Sequence, residues 1–144
     1  MALTTIRQLL QLKGTDVWSI SPDASVFDAL RMMADKDVGA LVVCENDKLV
    51  GIISERDYAR KVILVGKTSF DTLVSEIMTT TVITIHPDQT IEEAMELMTH
   101  KHIRHIPVVQ DETVNGVISI GDVVGDIIHK QRQTIKDLER YVTR

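Results

Sequence analysis

Shifting this chain by 65 positions lays residues 17–63 on residues 82–128 without a gap, and 13 of the 47 aligned pairs are identical. The identities include Pro22/Pro87, Asp23/Asp88, Ala29/Ala94, Met33/Met98, Gly51/Gly116, Ser54/Ser119 and Asp57/Asp122, and most other pairs exchange one apolar residue for another. A duplication constrains the architecture before any local propensity does: it requires two like units and, with them, paired sites. Each unit holds roughly 60 residues, too few to bury a sufficient core alone, so the two are expected to pack on each other.

Apolar residues at Val26, Ala29, Leu30 and Met33, and again at Ile91, Ala94, Met95 and Met98, follow the i, i+3, i+4, i+7 spacing of an amphipathic helix. Ser25 and Thr90 stand where an N-cap oxygen is wanted, after turns marked by Pro22-Asp23 and Pro87-Asp88. The runs ALVVC and LVGII, then HIPVV and VNGVI, are separated by the polar turns ENDK and QDET and predict two hairpins. A short strand is expected before each helix, VWSI and VITI, and a second helix from about Ser54 and Ser119. The unit therefore reads βαββα. The predicted fold is α/β (α+β): two pseudo-symmetric repeats packed together, over 1–70 with an N-terminal helix and 71–128, followed by a helical tail over 129–144. In that tail Ile128, Ile135, Leu138 and Val142 form an apolar stripe suited to a partner.

The strings GIISERD (51–57) and GVISIGD (116–122) each run from a strand end into a helix start. Ser54 and Ser119 can cap those helices, where unpaired amides and the helix dipole favour an anion. Asp57 and Asp122 follow three residues on, and a carboxylate there can accept from the two vicinal hydroxyls of a ribose. The competing reading is a capping box, Ser followed three residues later by an acid, with no ligand at all.

With these motifs on a duplicated βαββα unit, the chain resembles a tandem pair of CBS domains, the regulatory module named after cystathionine beta-synthase. SEIMT (75–79) resembles the family's lead-in to a repeat and HIRHIPVV (102–109) its strand before the hairpin turn. The resemblance implies a cleft between repeats that binds an adenosine ligand: AMP first, with ADP, ATP, NAD(H) or S-adenosylmethionine as alternatives. Asp57 and Asp122 match the ribose-binding acid, and Ser54 and Ser119 the hydroxyl near the phosphate. The base would lie near Asp16 to Trp18 and Thr81 to Ile83. Such pairs commonly form homodimers, so a homodimer with an unidentified effector protein is expected.

Lys101, His102, Arg104 and His105 crowd basic side chains into a chain of net charge -5, and such a cluster favours phosphate. Pro107 follows in the same run; the first unit has Lys36, Asp37, Val38, Gly39, Ala40 and Val42 at the matching places, compensated only by Arg56. The two sites are expected to be unequal, with a basic residue of one repeat serving the phosphate in the other's site. Zinc is the weaker reading of His100, His102 and His105, since no cysteine joins them and their spacing does not share a helical face. No metal is expected.

Negative charge and 3% aromatic residues argue against nucleic acid, and no apolar stretch approaches the roughly 18 residues of a membrane span. The start, MALTTIRQLLQLKG, lacks a secretory pattern, so a cytoplasmic protein is expected. Cys44, the single cysteine, lies in an apolar run and reads as a buried structural thiol. Neither a nucleophile with a sequence-evident base nor a GxxxxGK[ST] loop is present. The leading reading is a non-catalytic sensor of adenine nucleotides; a dimerisation scaffold without ligand and a small phosphohydrolase using the histidine cluster are the alternatives.

Overall fold

Both expected hairpins form, and they are copies in register as well as in sequence. In the structure, a computed structural model describing residues 4–142, β2 (Ala40–Glu45) pairs antiparallel with β3 (Lys48–Ser54), and β4 (His105–Gln110) with β5 (Thr113–Ser119). The outermost parts of the expected first and last segments, 1–3 and 143–144, lie outside the described residues. Ala40 faces Ser54 and His105 faces Ser119, and the register slips by one after Val43 and after Val108. Positive φ at both central residues, 53° and 62° at Asn46-Asp47 and 51° and 64° at Asp111-Glu112, gives two-residue turns whose twist matches the strands.

Helices α2 (Val26–Lys36) and α5 (Ile91–Lys101) bury Val26, Ala29 and Met33, and Ile91, Ala94 and Met98, as the spacing requires. Ser25 accepts from the Asp28 N–H at 3.1 Å and Thr90 from the Glu93 N–H at 3.2 Å. The strands expected before these helices shrink to their last residues. β1 (Ser19–Ile20) runs parallel to β2, while in the second half only Ile85 bridges to Val108. There the Ile85 N–H donates to the Pro107 carbonyl at 3.1 Å and the Ile85 carbonyl accepts from Val109 at 2.9 Å. Upstream of each bridge the chain leaves the sheet.

The short helices that lead into each repeat cross over. α1 (Ile6–Lys13) buries Ile6, Leu9 and Leu10 in the core of the second half, with Ile85, Ile91, Met98, Ile106 and Ile118. α4 (Val74–Ile77) buries Val74 and Ile77 in the core of the first half, with Val26, Met33, Leu41 and Ile53. The docking bonds repeat too: Ile6 and Arg7 donate to the Gln89 and Pro87 carbonyls, and Val74 and Ser75 to those of Ala24 and Pro22, all at 2.8–2.9 Å.

After the hairpins the halves diverge. α3 (Glu55–Tyr58) is one turn that widens into a π-helical turn over Ala59–Ile63, and Gly66, at φ 76°, ends it. α6 (Ile120–Val142) continues for 23 residues, about 35 Å, so the expected tail is the unbroken extension of the second repeat's helix. Its stripe of Ile128, Ile135, Leu138 and Val142 is exposed. Cys44 is half-buried rather than enclosed, and burial with the nearby Asp47 carboxylate pushes its thiol pKa up.

Gly51 and Gly116 are where the lead-ins press on the hairpins. A Cβ at Gly51 would stand 2.7 Å from the Met78 sulfur and 3.0 Å from the Thr79 carbonyl oxygen; at Gly116 its nearest neighbour would be the Leu10 side chain, at 2.7 Å. Backbone held by the Ile52–Thr79 bridge cannot retreat as a leucine tip can. Gly51→Ala is therefore expected to cost about 1–3 kcal/mol and Gly116→Ala less, read as the loss in Tm on thermal unfolding.

Candidate functional site

The crossover builds two related clefts between the repeats. Cleft 1, about 510 Å³, is lined by Ser54 to Asp57, Arg60 and Lys61 from the first half, and by Thr79, Thr81 to Ile83 and His102 to His105 from the second. Cleft 2, about 350 Å³, sets Val117, Ser119 and Asp122 of the second half against Lys13, Asp16, Trp18 and Asp37 to Ala40. The segments that peel away from the sheet ahead of β1 and Ile85 become cleft walls: 81–83 face the first serine–aspartate pair, and Asp16 and Trp18 the second.

Each pair sits at the strand-to-helix junction as a reciprocal cap. Asp57 Oδ2 accepts from the Ser54 N–H at 2.9 Å and its hydroxyl at 3.1 Å, while Ser54 Oγ accepts from the Asp57 N–H at 3.2 Å. In cleft 2 Asp122 Oδ2 accepts from the Ser119 N–H at 2.8 Å and Ser119 Oγ from the Asp122 N–H at 3.1 Å. The capping-box reading is thus physically realised in both copies. It does not exhaust the carboxylate, whose roughly four lone-pair sites exceed the cap's demand. On Asp57, Oδ1 also receives Lys61 at 3.3 Å, and Lys61 donates to the Ile77 carbonyl at 2.9 Å. On Asp122 the additional cation comes from afar: Lys13, the last residue of α1, lies 2.5 Å from Oδ2 and also donates to the Val117 carbonyl.

Of the residues singled out from sequence, Ser54, Arg56, Asp57, Thr81, Ile83, Arg104 and His105 meet in cleft 1. Asp16, Trp18, Ser119 and Asp122 meet in cleft 2. Pro107 joins neither set of lining residues; it is buried within β4, where its carbonyl accepts from Ile85. Arg60 and Lys61 are additional cations of cleft 1, legible as residues one turn after Asp57. Lys13 had no local signal, being 109 positions from its carboxylate. His100, His102 and His105 do not converge: among the described residues no three His, Cys, Asp or Glu side chains are placed to hold a metal ion.

His105 stands between the clefts and lines both. Its imidazole packs on Gly39, only 3.3 Å from where a Cβ would be. Burial lowers its pKa from the ordinary 6.5, Lys13 and Arg104 add to the lowering, and Asp122 opposes it. The folded state therefore favours neutral imidazole, and the unfolded chain takes the proton first as pH falls. The stabilisation is complete above pH about 6.5 and is lost on acidification through the lowered folded pKa. Accordingly, the drop in Tm between pH 7.5 and pH 5 is expected to be smaller in His105→Gln than in the native chain.

The family model of the CBS domain matches the chain twice, over residues 9–64 and 74–129. The mitochondrial CBS domain-containing protein CBSX3 of Arabidopsis thaliana is 42% identical over 149 residues, spanning 96% of this chain and 72% of the relative. A protein with CBS domains from Burkholderia ambifaria, described as a signal-transduction protein, superposes with a TM-score of 0.85 at 42% identity, over 89% of this chain and 96% of that one. The CBS domain pair of protein MJ0100, solved in complex with 5′-methylthioadenosine and S-adenosyl-L-methionine, superposes with a TM-score of 0.79 at 25% identity, over 90% and 99%. The chain belongs to the CBS-domain family and consists chiefly of one tandem CBS pair.

Proposed function

We propose that this CBS pair is a non-catalytic regulatory module that binds an adenine nucleotide in cleft 1 and transmits its occupancy to a partner protein. One observation carries the reading: Ser54 and Asp57 of one repeat face Thr81 to Ile83, Arg104 and His105 of the other across a single cleft of about 510 Å³. That volume lies within the range of small-molecule sites. In this reading Asp57 receives the ribose hydroxyls through the acceptor capacity its cap leaves over. Arg56 and Arg104 take the phosphate, for which a guanidinium fork is geometrically matched. Thr81 and Ile83 flank the base. The complexes of MJ0100 with two adenosyl compounds and the description of the Burkholderia protein support both halves of the proposal.

AMP is the first candidate and ADP, ATP and NAD(H) are the alternatives. No metal is required. The partner copy we propose is a second chain: Ile63 and Ile128, equivalent in the two repeats, are both exposed, and the α6 stripe extends the second of them. Two matched apolar patches related by a pseudo-two-fold suit a self-complementary dimer interface. The cytosolic placement is part of this proposal; no helix among the described residues is long and apolar enough to cross a membrane.

Thermal unfolding with AMP, ADP, ATP or NADH tests the reading. Ligand at about 100 times its dissociation constant adds about 2.7 kcal/mol, a Tm rise of several degrees for a chain this size. The rise is expected with at least one nucleotide and is expected to vanish in Asp57→Ala. A scaffold without ligand would show no rise with any of them, and a phosphohydrolase would release phosphate on prolonged incubation.

A further inference from the structure

Cleft 1 and cleft 2 are built from equivalent segments of the two repeats and are opposite in charge. Arg56, Arg60 and Arg104 line cleft 1, and among the described residues none of the three makes an ion pair. At the equivalent places, 65 positions away, the chain has Gly121, Gly125 and Gly39. Cleft 2 carries instead the carboxylates of Asp16, Asp37 and Asp122, against Lys13 as its one lysine or arginine. That lysine is already committed: its ammonium sits on Asp122 Oδ2 at 2.5 Å and on the Val117 carbonyl. The equivalent carboxylate of cleft 1, Asp57, carries Lys61 of the same helical segment at a looser 3.3 Å on Oδ1, whereas Asp122 is held at 2.5 Å by a cation drawn from α1.

We infer that the two clefts divide adenosyl ligands by charge. Cleft 1 takes a phosphorylated nucleotide, whereas cleft 2 takes an unphosphorylated adenosyl compound without net negative charge, admitted when Lys13 is displaced from Asp122. This rests on the nucleotide-binding reading of cleft 1 and extends it to the second site. A phosphate entering cleft 2 would meet three carboxylates with no arginine to pair it, and like charges at close range cost binding energy. A sulfonium or neutral nucleoside meets no such barrier. It can also recover at Asp122 the charge-assisted contact that Lys13 gives up.

Isothermal titration of the full chain with ADP and with S-adenosylmethionine, which carries net positive charge, tests the division. One ADP per chain is expected, weakened about tenfold by Arg56→Ala or Arg104→Ala. One S-adenosylmethionine is expected, indifferent to those two changes, weakened about tenfold by Asp122→Ala and tightened by Lys13→Ala. The variant Gly121→Arg/Gly125→Arg places arginines beside Asp122 at the positions equivalent to Arg56 and Arg60; a Cβ at Gly121 meets nothing closer than the Ser119 hydroxyl at 3.6 Å, and one at Gly125 meets nothing within 4 Å. Arginine also suits a helix better than glycine there, so this variant folds and is expected to bind two ADP per chain. Two ADP bound by the native chain, competition of both compounds for one cleft, or ADP binding without S-adenosylmethionine binding would overturn the division alone. Failure of every adenosine compound to bind would overturn the nucleotide reading together with it.

Discussion

Everything distinctive about this molecule depends on the crossing of its two lead-in helices. Neither repeat completes its own core with the helix that precedes it: α1 fills the second half with Ile6, Leu9 and Leu10, and α4 fills the first with Val74 and Ile77. Each such side chain contributes roughly 1.5–3 kcal/mol when fully buried, so the exchanged residues together approach the 5–15 kcal/mol that a whole domain has to spare. The halves are therefore interdependent through burial as well as through their shared interface. The glycines at 51 and 116 record where that docking is closest.

The same crossing makes the clefts composite. A chain segment leaving α1 must run past the second hairpin before it reaches its own sheet at β1, and so it brings Lys13, Asp16 and Trp18 to Ser119 and Asp122. The segment leaving α4 does the reverse, carrying Thr81 to Ile83 to Ser54 and Asp57. This accounts for the loss of most of the two expected strands. Their upstream residues wall the clefts, and only Ser19-Ile20 and Ile85 are left to pair with the sheet. A segment positioned by both halves responds to their relative arrangement, and a ligand touching it can shift that arrangement only through differential affinity for the two states.

The serine–aspartate pairs show that a capping role leaves a carboxylate with acceptor capacity to spare. A cap uses an oxygen of Asp57 to orient the side chain at the helix start, and orientation is what the ribose contact we propose for it would need. The cap also explains why these positions repeat faithfully while their surroundings drift. Around them the cations of the first cleft became glycine and aspartate in the second, and Lys13 restores one positive charge from outside the repeat.

The sequence by itself determined the duplicated unit, the two hairpins, the capped amphipathic helices and the identity of the serine and aspartate pairs. These follow from spacing within some ten residues: alternation, the 3.6-residue period and cap chemistry act locally. It also exposed the uneven charge of the two halves, because a 65-residue shift lays Arg104 on Gly39 and His105 on Ala40. Only the tertiary structure decided which wall faces which pair, that Pro107 is buried away from both clefts, that His105 stands between them, and that Lys13 closes on Asp122. Those are consequences of long-range burial, in which α1 and α4 each hide their apolar side chains in the core of the other half, and no local pattern encodes a contact between residues 109 positions apart.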